Sequence, residues 1–351
     1  MEINIAESST YIKENCWEIF SKYVSNYEKV FFIIDEKILN LYHEDVNKIR
    51  SYKKNTVFTI TKPEGQKEFS TIEQLATKAT EFGLNRQDAV LAIGGGATLD
   101  IAGFFCSIYK RGIDYFSFPT TLLSQIDSAI GGKTGVNFNG VKNVFGSFYD
   151  PKGIFIDSKY IETLSNEDYY GGLGEVWKYA LLDKELFEDI TKGALKILSR
   201  DNSQLYKVIE KCIVIKKHYI EADYFDNAGV RIALNLGHTL GHLIENKEPY
   251  FLNHGYAVAY GLKFALYISL SLSYISKEEY LIRKKFLSLL FSFIPEINLK
   301  ELNTYITYLN TDKKFSKGKI QFVVPTTDGY SIINLLPQEF SQGYLDFQEL
   351  I

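Results

Sequence analysis

The chain has 351 residues, 46% of them apolar, and a formal net charge of −4. That length exceeds one ordinary core, so two domains are expected. The mild charge, with no basic run, excludes nucleic acid as the main partner, and the polar start Met1-Glu2-Ile3-Asn4 carries no secretory signal.

The first part alternates strand-like and helical stretches. Lys29 to Ile34 is a short apolar run ending at Asp35 and followed by a helical segment. Val57 to Thr61 predicts a second strand, Thr71 to Phe82 a helix, and Ala89 to Ile93 a third strand. Such alternation implies a parallel sheet with helices on its faces. Gly94-Gly95-Gly96 then opens another helix through Asp100. Glycines there admit close backbone approach, and a helix N-terminus offers N–H groups to a phosphate. Tyr115 to Phe118 predicts a fourth strand, broken at Pro119-Thr120-Thr121, and a turn from Leu122 to Asp127 leads into Gly131-Gly132-Lys133-Thr134-Gly135. Glycine–lysine loops hold phosphates by backbone N–H groups and one point charge. A P-loop is excluded because its first glycine is absent. Arg111, Lys133 and Lys142 are candidates for one phosphate, or else are solvated surface cations.

No proline occurs between Pro151 and Pro249, and helical spacing dominates there. A domain boundary is therefore expected near Asp150 to Asp157. Glu175 and Lys178 are three apart on a helix, just after three glycines. Three of the five histidines fall close together, as His238, His242 and His254. His238 and His242 share one helix face, and Glu245 continues it. Such a cluster suits a divalent metal that takes nitrogen and carboxylate ligands, although polar core histidines remain the plain alternative. Near the end, Asp312-Lys313-Lys314 precedes a hairpin-like segment from Ile320 to Ile333. The stretches from Phe264 to Ile275 and Phe286 to Ile294 are short and broken by serines, so they predict core helices rather than membrane spans. Cys16, Cys106 and Cys212 are odd in number and lack CxxC spacing, as buried thiols of a cytoplasmic protein would be.

Six motifs, in order, carry a resemblance that runs from about Asp35 to Gly329: GGGATLDIAGF, PTTLLSQIDSAIGGKTGVN, KNVFGSFYDPK, GEVWKY, LNLGHTLGHLIE and NHGYAVAYG. Together they resemble the 3-dehydroquinate synthases, members of the sugar phosphate cyclases. The resemblance implies a Rossmann-like α/β NAD-binding domain, residues 1–155, and a mostly α-helical metal- and substrate-binding domain, residues 156–351, with the active site between them. By motif, a divalent metal, Zn²⁺ or Co²⁺, falls to Glu175, His238 and His254. NAD falls to Asp35, Gly95, Gly96, Asp100, Thr120, Thr121, Lys142 and Thr163. Substrate contacts fall to Asp127, Lys133, Asn143, Lys178, Lys216, Arg231, Asn235 and Lys314, with Arg111 reaching in from the partner of a homodimer. His242, Lys178, Asp127 and Asp226 are the implied catalytic residues. The implied reaction turns a phosphorylated heptulosonate into 3-dehydroquinate and phosphate, with NAD used and regenerated.

Some positions depart from that family's pattern. Gln66 and Phe69 stand where a Glu and a Lys are expected near the cofactor. Tyr256 replaces the glutamate usual after the metal-binding His-Gly. An extra residue before Arg231 puts Asn227 where an acidic residue is usual, with Asp226 beside it, and Lys217 competes with Lys216 for one role. Competing readings are a sister cyclase of the 2-deoxy-scyllo-inosose or 2-epi-5-epi-valiolone synthase kind, a metal-dependent glycerol or alcohol dehydrogenase, and a non-catalytic paralogue. Arg231 and the GGKTG loop favour the acid substrate over the sugar phosphates.

Overall fold

The structure, a computed structural model, describes residues 1–51, 54–245, 252–303, 306 and 318–349. It divides into two compact units. One comprises Met1–Leu164 with Arg200–Phe225, and the other Ser165–Ser199 with Asp226–Ile351.

The first unit is built on a seven-stranded sheet. Its strands are β1 (Glu2–Ile5), β2 (Ser8–Ile12), β3 (Val30–Asp35), β4 (Asn55–Ile60), β5 (Ala89–Gly94), β6 (Asp114–Pro119) and, after the hairpin of β7 (Lys133–Phe138) and β8 (Val141–Phe148), β9 (Gly153–Ile156). The order across the sheet is β1-β2-β9-β6-β5-β3-β4. Only the β1–β2 pair is antiparallel. The four strands expected from apolar runs are β3 to β6, displaced by a residue or two. Every residue of β5, and all but the last of β3, is buried, as central parallel strands covered on both faces require. One face packs an aromatic core in which Trp17 stacks on Phe118 at 4.7 Å and Phe118 on Phe155 at 4.9 Å.

Three elements differ from expectation. The turn expected at Leu122 to Asp127 contains a π-helical stretch, Ser124–Ser128. The glycine–lysine loop proves to open a β-hairpin, with Lys133 as the first residue of β7. The region read as a boundary contains β9, which fills the gap between β2 and β6. Four residues are too few to show a period, and β9 is held only by its neighbours.

The observed division also differs from a single cut at 155/156. The Asn202–Ala222 helix returns to the first unit, burying Leu205, Ile209, Cys212 and Ile213. Ser158 Oγ donates to Asn202 Oδ1 at its start.

The second unit is mostly helical, with helices Asn166–Leu182, Lys184–Leu198, His238–Glu245, His254–Ser271, Lys277–Phe291 and Pro337–Gln348. The expected hairpin is present as β10 (Ile320–Thr326) and β11 (Gly329–Leu335). The two apolar stretches fall mostly in its His254–Ser271 and Lys277–Phe291 helices and run a few residues past their ends, and among the described residues no helix is long and apolar enough to cross a membrane. The three cysteines are buried and form no disulfide with one another.

Candidate active site

In the second unit, glycines let three helices meet backbone to backbone. A Cβ at Gly255 would lie 1.7 Å from Gly171 O, and one at Gly174 would lie 2.1 Å from Gly255 O. These contacts join the Asn166–Leu182 and His254–Ser271 helices. A Cβ at Gly261 would lie 1.7 Å from Gly237 O, which brings the same helix against the turn that starts His238–Glu245. No other residue type allows such approach.

This packing brings Glu175, His238 and His254 together. Glu175 Oε1 is 3.1 Å from His254 Nε2 and 3.4 Å from His238 Nε2. One donor atom from each residue lies within 4.8 Å of the other two. The opposite ring nitrogens are also engaged. His238 Nδ1 is 3.2 Å from Leu236 O, and His254 Nδ1 is 3.3 Å from Glu245 Oε2. An acceptor at Nδ1 fixes the tautomer that leaves an Nε2 lone pair, as metal-binding imidazoles require. Two ring nitrogens and a carboxylate aimed at one point suit a cation of the zinc class, which would take the place of a proton on His254. Burial holds His238 neutral, down to about 4, against the pull of Glu175. Burial opposes charge on His254 too, but the hydrogen bonds and charges of Glu175 and Glu245 outweigh it and push the ring up to about 10.

Lys178, one turn beyond Glu175, places Nζ 2.5 Å from Glu175 Oε2 with both side chains buried. The ammonium also lies 4.6 Å from the Tyr179 ring centre. His242 is exposed, with its ring 5.4 Å from that of His238 and 6.3 Å from that of His254. It stands beside the three-donor set without belonging to it. Arg231 is buried and Asn235, at the other end of the same short helix, is exposed. Asp226 is exposed, with φ 54°. Lys314 lies outside the described residues.

In the first unit, Gly94, Gly95 and Gly96 line the turn after β5. Their Cβ atoms would meet Thr98 at 2.7 Å, Thr121 at 3.1 Å and Ser128 Oγ at 2.7 Å respectively. No side chain caps the Gly96–Ile108 helix, so its first N–H groups suit an anion. Thr120 is buried, and Thr121 Oγ1 donates to Ser124 Oγ at 2.9 Å. Asp35 accepts from Lys37 N, and Thr163 Oγ1 lies 2.8 Å from Tyr42 Oη. Lys216, rather than Lys217, is the buried lysine. Its Nζ donates to Asp127 O at 2.6 Å and pairs with the Asp127 carboxylate. Arg111, Lys133, Lys142 and Asn143 are exposed.

The departures acquire physical meaning here. Gln66 Oε1 accepts from Thr61 N at 2.7 Å and Lys62 N at 2.9 Å, closing its own loop. Phe69 packs on Phe145, ring centres 5.5 Å apart. Lys67, which the sequence reading passed over, is buried with Nζ 2.6 Å from Asp100 Oδ2. Nothing in local spacing marks it. Tyr256 is buried in its helix, its hydroxyl pushed up to about 12 by burial and by nearby Glu167 and Asp168. Glu245 was legible only as continuing the histidine face, whereas its place is behind His254.

The model of the 3-dehydroquinate synthase N-terminal part matches residues 57–170, and that of the C-terminal part matches residues 172–315. The chain belongs to the 3-dehydroquinate synthase family. The 3-dehydroquinate synthase of Prochlorococcus marinus (strain MIT 9515) is 38% identical over 333 residues, spanning 92% of this chain and 90% of that one. The fold is similar to that of 2-epi-5-epi-valiolone synthase from Streptomyces hygroscopicus subsp. jinggangensis 5008, solved with NAD+ and Zn2+. The TM-score is 0.85, with 22% identity over 99% of both chains. It is also similar to 2-deoxy-scyllo-inosose synthase complexed with carbaglucose-6-phosphate, NAD+ and Co2+, at TM-score 0.84 and 20% identity over 99% of both. These two likenesses establish the shared architecture of this family member.

Proposed function

We propose that this family member is a 3-dehydroquinate synthase, a carbon–oxygen lyase that converts 3-deoxy-D-arabino-heptulosonate 7-phosphate into 3-dehydroquinate and phosphate. The observation that carries the reading is the buried Glu175–His238–His254 donor set with Lys178 at its edge, in a chain of this family.

The donor set suits Zn²⁺ or Co²⁺, and the glycine turn with Asp35, Asp100, Thr120, Thr121, Lys142 and Thr163 suits NAD. When bound, the metal supplies Lewis acidity toward substrate hydroxyls, and NAD supplies a hydride acceptor that is regenerated. The chain's own residues do the rest. Lys178 offers a desolvated positive charge where negative charge develops on substrate oxygen. Asp127, oriented by Lys216, and His242 and Asp226 handle protons. Lys133 and Asn143, with Arg111 from the partner of a homodimer, bind the phosphate that leaves. Arg231, Asn235 and Lys314 complete the substrate contacts, and Arg231 is the buried guanidinium suited to the carboxylate. The work is done in the cytoplasm.

A sister cyclase acting on a sugar phosphate is the second reading, favoured by the two fold likenesses. Its substrates carry no carboxylate to match Arg231. The deciding experiment measures phosphate release from the heptulosonate phosphate, glucose 6-phosphate and sedoheptulose 7-phosphate, with NAD⁺ and Zn²⁺ present. Phosphate from the first alone, without net NADH, is expected. Release only from a sugar phosphate would overturn the proposal, and net NADH would mark a dehydrogenase.

A further inference from the structure

The loop from Thr61 to Phe69 lacks the cofactor-side Glu and Lys that the family resemblance implies, yet a lysine of this loop reaches the helix that follows the glycine turn. Gln66 is occupied with Thr61 and Lys62, and Phe69 with Phe145. Between them, Lys67 runs inward, its side chain 8% exposed. The backbone holds it there: Asn137 N donates to Lys67 O at 2.7 Å, and Glu68 bridges to Asn137. Burying an ammonium is costly unless a partner compensates it. The partner is Asp100, one turn into the helix that follows the glycine turn.

We propose that Lys67 is the positioning residue that holds Asp100 as an aligned hydrogen-bond acceptor for the dinucleotide, in place of a lysine at position 69. This rests on the NAD site proposed above. A carboxylate clamped on one oxygen keeps acceptor capacity on the other for an N–H or O–H of a ligand. The charge balance agrees with the geometry. Burial pushes the Asp100 carboxyl up to about 6 while Lys67 pulls it down. Glu64 adds to the rise and Lys216 opposes it. Without Lys67, burial acts with only Lys216 against it, and Asp100 takes up a proton nearer neutrality.

The test is NAD⁺ binding to the full chain by titration calorimetry between about pH 6.5 and 9, with no turnover required. Lys67→Met should bind about tenfold more weakly at pH 7.5, the worth of one charged hydrogen bond, and the deficit should shrink as pH rises. Lys67→Arg should restore most of the affinity, and Lys67→Gln combined with Phe69→Lys should restore part of it. If Lys67→Met does not fold, those two variants decide on the same pH profile. A Lys67→Met affinity within twofold of wild type across the range would overturn the inference, as would a deficit that neither varies with pH nor is relieved by Lys67→Arg. Failure of the wild-type chain to bind NAD⁺ at all would overturn the functional reading, and this inference with it.

Discussion

Gly255→Ala tests how the site is made. The new Cβ would lie 1.7 Å from Gly171 O, and a tolerable contact of 3.0 Å requires the two helices to part by about 1.3 Å. The contact atom is backbone, so no side chain can swing aside. Overpacking of this kind costs about 1–3 kcal/mol of stability. The larger effect falls on the metal, because His254 is the neighbouring residue and Glu175 sits on the opposite helix. Metal–ligand distances tolerate only about 0.2 Å, so zinc affinity should fall on the order of 100-fold. Gly174→Ala, whose Cβ would meet Gly255 O at 2.1 Å, should do the same. Gly318→Ala, with nothing within 4 Å, is the control. Zinc affinity is read by competition with a chromogenic chelator, alongside thermal melting. A folded Gly255→Ala that holds zinc within threefold of wild type would refute the claim that backbone contact sets the ligand geometry.

His254→Ala should lose bound metal and turnover while NAD⁺ binding survives, and unchanged metal content by elemental analysis would show the ligand assignment to be wrong. The folded Asp100 carboxyl, pushed up to about 6 from an ordinary 3.8, binds a proton before the unfolded chain does. Its contribution to stability therefore grows as pH falls through about 6 and is lost as pH rises. Against Asp100→Asn, wild type should gain about 2–3 kcal/mol between about pH 7 and pH 4 in urea melts, and a flat difference would exclude this. Burial, with Asp157 nearby, pushes the Cys16 thiol up to about 12, and burial, with the charge of Asp114, raises Cys106 well above its usual value. Both should resist iodoacetamide at about pH 8.5 until the chain is unfolded; rapid native alkylation of either would contradict the packing.

Local pattern already settled much of the fold. The apolar runs of β3 to β6, the glycine turn after β5 and the helical second unit are all written in local period and composition. The histidine cluster was legible as a candidate for metal chemistry, with polar core histidines as the plain alternative, because three of the five imidazoles fall in one short window. Spacing alone pointed to His238 and His242 on one helix face, whereas the tertiary structure completes the donor set with Glu175 and leaves His242 exposed beside it. The resemblance named those three ligands, but why they meet is a matter of Gly171, Gly174 and Gly255. Likewise, an amphipathic helix such as Asn202–Ala222 shows which face is buried without showing against what, and only the packed chain assigns it to the first unit. The four residues of β9 and the buried Lys67 carry no local signal at all. Local pattern records the face on which a side chain lies. Which faces then touch depends on backbone distances closed over many tens of residues, and these are set by burial and by the absence of a Cβ.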